Sequence, residues 1–260
     1  MKFQPYLPCD RLKPYIKQFV ISESNDERTY KVLPDISLVM GFQYRGKLAY
    51  VDKTAEVPLA TSGITGIQDG FRLFKNSSTI GSVLVVFTET GAASFLSEPI
   101  NELFGESLPL DTFVDSTTLN SIEDQLASVS DDWDRIRIVE QFLLSRFQET
   151  KADLLVALAL QHIYQSKGTI RIAALAKNLC ISQSPLEKRF RNVVGTSPKK
   201  FSSIVRMKQA ITLFPTAGRL TEIGLESGYF DQAHFINEFK IFTGVTPSEF
   251  MQASLNPNQT

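Results

Sequence analysis

The chain has 260 residues, 43% of them hydrophobic, with 27 Lys and Arg against 28 Asp and Glu. That is enough chain for two ordinary domains with real cores, and the longest apolar run, LLVALAL at 154–160, is far too short to span a bilayer. The opening MKFQPYLPCD lacks the apolar stretch of a secretory signal, and Cys9 and Cys180 form neither a CxxC pair nor a disulfide framework. A reduced, cytoplasmic setting without membrane association is therefore expected.

In chain order, residues 1–90 are β-rich. VLPDISLVMGFQYRGKLAYV (32–51) holds two strand-like runs broken by a turn at Tyr44-Arg45-Gly46-Lys47, and IGSVLVVFT (80–88) is a β-branched run suited to a buried strand. ETGAASFLSEPINELFG (89–105) reads as helix and turn. From about residue 115 the period is helical. In DWDRIRIVEQFLLSRF the residues Trp133, Ile136, Val139 or Glu140, Leu143 and Phe147 fall on one apolar stripe, which serves either dimerisation or packing on the β-region. A further helix is expected over 152–166, capped by Asp153 and stopped at Lys167-Gly168, and 170–250 reads as short helices broken at Pro215 and Gly218. The fold class is α+β, a β-rich N-terminal domain followed by an all-α domain.

Charge is distributed unevenly. Residues 1–150 carry 14 basic and 21 acidic residues, a net of −7, whereas 151–260 carry 13 and 7, a net of +6. Within 167–219 the count is 11 basic to one acidic. Such a segment points to a polyanionic partner, most often nucleic acid, the plainer alternative being a well-solvated helical surface.

The C-terminal half contains an internal repeat. FRNVVGTSPKKF (190–201) aligns with FKIFTGVTPSEF (239–250) at an offset of 49 residues. Gly195 and Gly244 suit the left-handed position after a helix, Ser197 and Thr246 suit the next N-cap, and Pro198 and Pro247 suit the first helical position. Thr246 and Glu249 complete a capping box. Upstream, Ser182 and Asp231 are equivalent N-caps, preceded by short helices and turns, the second turn one residue longer. Each half thus reads as helix, tight turn, helix, a helix-turn-helix made twice, over about 172–193 and 221–242.

These residues carry a family resemblance. Leu175-Ala176, Ser182 to Phe190, Gly195-x-Ser197-Pro198, Arg206-x-x-x-Ala210 and the run from Gly228-Tyr229 through Asp231-Gln232, His234-Phe235, Phe239-Lys240 and Gly244-Val245-Thr246-Pro247 to Phe250 resemble the DNA-binding domain of AraC/XylS transcription regulators. The resemblance implies two helix-turn-helix units bridged by a long helix at about 199–214, with recognition helices at 183–193 and 232–242 entering successive major grooves of double-stranded DNA. Less extensively, LPD (33–35) and 91–105 resemble a cupin-like sensory domain. The implied organisation is a cupin-like effector or dimerisation domain at 1–110, a helical linker region at 111–150 and the DNA-binding domain at 151–260. The implied function is a sequence-specific transcriptional regulator, an activator controlled by a small molecule or partner and contacting RNA polymerase, with a homodimer as one arrangement.

Family positions carried over as DNA contacts are Gln183, Ser184, Glu187, Lys188 and Arg191 in the first helix and Gln232, Ala233, Asn237 and Lys240 in the second. Lys188 stands where the family commonly has Arg, so a bidentate guanine contact there becomes a single-point one, and Asn237 also stands where Arg is frequent. Gln183 can pair with adenine; Glu187 can accept from cytosine or pair with Arg191 four residues on, and the intrahelical pair is favoured. Residues 220–260 hold one basic against five acidic residues, so attraction to phosphate is expected mainly from the first unit. Cys180 stands where the family often has Gly and is read as a mildly strained turn residue, a redox sensor being the alternative, and His234 as packing within its domain, a phosphate contact being the alternative.

Other chemistries find little support. Only His162 and His234 are present, neither in the β-region, so a His-based metal site there or a nucleophilic triad is not expected. No Gly-rich phosphate loop occurs, and neither cysteine has a reactive setting. No enzyme activity, cofactor or metal is expected. Phe42, Tyr44, Phe71, Phe74 and Phe87 are candidate walls of an effector pocket, each with core packing as its alternative. A second function class also remains, a protein-interaction regulator whose weakened second helix-turn-helix has little independent DNA binding.

Overall fold

The computed structural model describes residues 1–52, 55–96, 98–215 and 220–255. The first part is built of antiparallel strands: β1 (Lys2–Tyr6), β2 (Ile16–Ser24), β3 (Arg28–Val32), β4 (Val39–Arg45), β5 (Leu48–Asp52), β6 (Ala55–Pro58), β7 (Ser62–Thr65), β8 (Arg72–Asn76), β9 (Ile80–Phe87) and β10 (Ser107–Pro109). They form a six-stranded sheet in the order β1-β2-β9-β4-β7-β10 and a four-stranded sheet in the order β3-β8-β5-β6. β9 is central to the larger sheet, as its β-branched composition requires, with Ile80, Val83, Val85 and Phe87 buried.

The turn at 44–47 is present, but it joins two sheets: β4 pairs with β9 and β5 with β8. The chain crosses there twice, since Leu48 lies opposite Asn76 and Arg45 opposite Gly81. Gly46 allows the crossing. Its φ is +77°, and a β-carbon would stand 2.0 Å from the Thr79 carbonyl oxygen. Residues 91–105 are more tightly wound than an α-helix, forming 3-10 turns at Gly91–Ser94 and Ile100–Leu103.

Two helices follow, α1 (Ser116–Ser128) and α2 (Asp132–Arg146), capped by the carboxylates of Asp115 and Asp131. α1 packs on β4 and on α2. The apolar stripe of α2 faces inward: Ile136, Val139, Phe142 and Leu143 are buried, and the Phe142 ring meets Phe42 of β4 edge-on at 5.7 Å. Trp133, expected on that stripe, is instead 53% exposed and lies edge-on to Tyr6 at 4.8 Å. Arg135 is buried with its guanidinium 4.0 Å from the Tyr44 ring centroid.

The second part is helical: α3 (Leu154–Gln165), α4 (Ile172–Asn178), α5 (Gln183–Val194), α6 (Pro198–Leu213), α7 (Leu220–Glu226), α8 (Gln232–Thr243) and α9 (Pro247–Leu255). Asp153 caps α3 through the Leu155 and Val156 amides. The expected break at Gly218 lies outside the described residues. No helix among the described residues is long and apolar enough to cross a membrane.

One buried cluster runs from the sheets into the helices. The two parts also meet at polar and glycine contacts. Tyr164 donates to Glu89 at 2.5 Å, Lys208 pairs with Asp35 at 2.6 Å, Lys200 with Asp69 at 3.1 Å, and Lys31 donates to the Thr243 carbonyl at 2.7 Å. Gly195, after α5, presses on Ile100, and Gly244, after α8, on the Phe71 ring.

Candidate nucleic-acid interface

The repeat seen in sequence is a repeat in space. Gly195 and Gly244 have φ of +88° and +79°, closing α5 and α8 as left-handed C-terminal residues. Phe190 meets Phe201 at 5.5 Å and 73°, and Phe239 meets Phe250 at 5.4 Å and 78°. The same edge-to-face pair plugs each unit. Ser197 accepts from the Lys200 amide with Pro198 at the first helical position, and Thr246 and Glu249 exchange the two bonds of a capping box. Asp231 caps α8 through the Ala233 amide at 2.9 Å. Ser182 occupies the N-cap of α5, but its side chain makes no capping hydrogen bond.

The turns also correspond. Cys180 and Ile181 donate to the carbonyls of Lys177 and Ala176, and Gly228 and Tyr229 donate to those of Leu225 and Gly224. Cys180 therefore sits where the second unit has Gly228, and both have positive φ, +53° and +77°. A cysteine here carries the strain expected of a side chain at a glycine position.

α5 and α8 each bury one face and expose the other. Leu186, Phe190 and Val194 point inward on α5, and Phe235, Phe239 and Phe242 on α8. Gln183, Ser184, Glu187, Lys188 and Arg191 are all exposed, as are Gln232, Ala233, Asn237 and Lys240. Glu187 and Arg191 form the intrahelical pair at 2.9 Å. Arg189 is drawn to Asp153 at 3.1 Å. Lys188 has no ion pair among the described residues.

The second unit is held to α6 by a carboxylate hub. Glu238 accepts from the Tyr229 hydroxyl at 2.7 Å and from Arg206 at 2.9 Å, while the Arg206 guanidinium lies 4.2 Å from the Tyr229 ring centroid. His234 is exposed rather than packed in the core; its Nε2 is 3.4 Å from Glu238 and its ring edges on Tyr229. Burial pushes the Glu238 pKa up, but the Tyr229 hydrogen bond and the Arg206 charge outweigh burial and hold it below the ordinary value of 4.5. A carboxylate depressed in the folded state stabilises above its unfolded pKa, and that contribution is lost as pH falls through the folded value. The second unit is thus expected to loosen on acidification below about pH 4.5, with Glu238→Gln flattening the dependence; urea melts between pH 7 and 3 check this, and identical slopes for both proteins would contradict it.

The five aromatic candidates do not line one chamber. Phe42 and Phe87 are fully buried, Phe87 against Phe95. Phe74 lies in the smaller sheet against Tyr30. Tyr44 is half-buried and donates to Glu23 at 2.7 Å; burial and that bond push its pKa up. Phe71 lies on the contact with Gly244, under Lys31. A cleft of about 340 Å³ lies elsewhere, between α1 and the β7 end of the larger sheet, lined by Thr61, Ser62, Asp111, Leu119, Asn120 and Glu123 among others.

Two successive helix-turn-helix units joined by one long helix define this part of the chain as a bipartite DNA-binding module. Residues 175–253 match the family described as "Helix-turn-helix domain", and residues 4–109 match "Domain of unknown function (DUF6597)". The arabinose operon regulatory protein of Escherichia coli strain K12 is 32% identical over 124 residues, 44% of this chain and 42% of that protein. The probable thc operon regulatory protein of Rhodococcus erythropolis is 30% identical over 112 residues, 40% of this chain and 34% of that one. The matched stretch spans less than half the length of either relative. Among solved structures, ToxT from Vibrio cholerae is 15% identical with a TM-score of 0.46, covering 97% of this chain and 98% of its own. Residues 175–253 thus form a helix-turn-helix domain similar to that of the arabinose operon regulatory protein, and the likeness to AraC/XylS transcription regulators rests on that domain.

Proposed function

We propose that the chain binds double-stranded DNA sequence-specifically in the cytoplasm and acts as a transcriptional activator, under control of a small molecule or partner acting on the N-terminal region. The division into an effector domain at 1–110, a helical region at 111–150 and a DNA-binding domain at 151–260 belongs to this reading, although α1 and α2 pack on the β-part rather than standing between the two. The observation that carries it is the exposure of all nine carried-over positions on two equivalent helices whose opposite faces are buried. Gln183, Ser184, Glu187, Lys188 and Arg191 would face one major groove, and Gln232, Ala233, Asn237 and Lys240 the next. Of the five effector candidates, Tyr44 and Phe71 keep partly open rings, and Phe71 sits where a ligand would be felt by the second unit. Contact with RNA polymerase and pairing of two copies on DNA complete the activator reading.

A second reading is motivated by the acidic second unit: a protein-interaction regulator with little DNA affinity of its own. Fluorescence anisotropy on labelled duplexes across a salt series separates the two. The DNA reading expects log affinity to fall linearly with log salt; no detectable binding at low salt to a duplex pool would favour the protein partner.

A further inference from the structure

The two turns differ by one residue, and the extra residue is Phe230. Tyr229 makes the backbone bond that Ile181 makes in the first unit, and Asp231 and Ser182 are the equivalent N-caps. Phe230 stands between them without a counterpart. Ile181 and Tyr229 both pack on the core, whereas Phe230 is 97% exposed, the highest exposure among the buried-or-exposed large hydrophobics described. It lies immediately before the N-terminus of the second recognition helix, the end that meets base edges in this motif.

The neighbouring replacements run the same way. Where the first unit exposes Lys177, the second exposes Leu225 at 68%; where the first has Ser184, the second has Ala233. Glu222, Glu226 and Asp231 are exposed around them. This unit therefore has little Coulombic attraction to phosphate, and beside the polar Gln232, Asn237 and Lys240 it offers the groove apolar surface at Phe230 and Ala233. In the major groove the apolar feature is the 5-methyl group of thymine, which Phe and Ala side chains contact.

We propose that the second helix-turn-helix reads thymine methyl groups, with Phe230 as the specificity-determining contact and Ala233 beside it. The inference rests on the DNA-binding reading above. It assigns the two units different physics: the first binds through charge and hydrogen bonds, the second through contacts that salt does not screen.

The test uses the full chain. A duplex is selected from a random-sequence pool, and each thymine in it is replaced in turn by uracil, which removes only the methyl group. Wild type is expected to lose about fourfold in affinity for each methyl it buries, equally at low and high salt, at one or more positions in the half site not protected by the first unit. Phe230→Ala is expected to bind the thymine and uracil duplexes alike, with an unchanged thermal melt because the ring makes no core contact. Insensitivity of wild type to every replacement overturns the inference and leaves the DNA reading standing. So does a Phe230→Ala protein as sensitive as wild type, or one whose affinity for the thymine duplex is unchanged, the outcome expected of a ring kept for a protein partner. Failure to select any duplex overturns the DNA reading itself, and the inference with it.

Discussion

Phe239→Ala is expected to destabilise the protein by about 3–5 kcal/mol, the usual cost of emptying a fully buried phenylalanine site. Phe239 is 0% exposed, and its ring lies 5.1 Å from Phe214, 5.4 Å from Phe250 and 5.7 Å from Phe235. Those rings come from α6, α9 and α8, so one truncation removes the residue on which three helices converge. The surrounding rings are rigid and already paired with one another, as Phe214 is with Phe250 at 5.0 Å, so collapse into the void is restricted. Urea denaturation followed by circular dichroism reads the loss. A change below about 1 kcal/mol would mean the site relaxes freely, contrary to this packing.

Lys188→Ala is expected to cost DNA affinity on the order of ten- to a hundredfold, or about 1.5–3 kcal/mol for a hydrogen bond from a charged donor, and to reduce the salt slope by about one unit. Five other cations of this half are already engaged: Arg191 with Glu187, Arg189 with Asp153, Arg206 with Glu238, Lys200 with Asp69 and Lys208 with Asp35. Lys188 projects from the exposed face of α5 without such a partner among the described residues. Asn237, one repeat along, offers only a neutral amide, and its truncation is expected to cost less at the same salt. Anisotropy titrations of both variants on one duplex decide it; a larger loss for Asn237→Ala would reverse the assignment of the first unit as the main source of affinity.

The helical half was legible because its signals are local. Gly195 and Gly244 each need a backbone that few other residues tolerate, Ser197-Pro198 and Thr246-Pro247 punctuate the next helices, and Phe190–Phe201 and Phe239–Phe250 are fixed by spacing alone. The Glu187–Arg191 pair follows from four-residue spacing. The β-part was legible only in outline. Strands such as β1, with one half-buried residue at each end and exposed ones between, carry no clean alternation, and the division into two sheets depends on pairings between distant segments. Arg135 beneath Tyr44 and the hub at Glu238 joining Arg206 to Tyr229 were invisible for the same reason, since no local pattern announces a charge paired across the fold. Trp133, read as part of the apolar stripe, and His234, read as packing within its domain, lie partly in solvent, each resting its ring on a tyrosine. Phe230 was hidden in an otherwise buried aromatic run, and only the backbone bonds of the two turns identify it as the inserted residue.

The contacts at Gly195 and Gly244 have a mechanical consequence. Ile100 and Phe71, from one β-scaffold, touch the same repeat position in both units, one at the foot of each recognition helix. The scaffold thus touches both units at equivalent points, and these contacts restrain α5 and α8 relative to one another. On the DNA-binding reading proposed above, part of the cost in freedom of matching two helices to the pitch of a duplex is then met before DNA arrives. Any displacement of that scaffold changes the phase between the two readers rather than the chemistry of either, so a perturbation there would be felt as a change in the spacing of half sites the protein accepts.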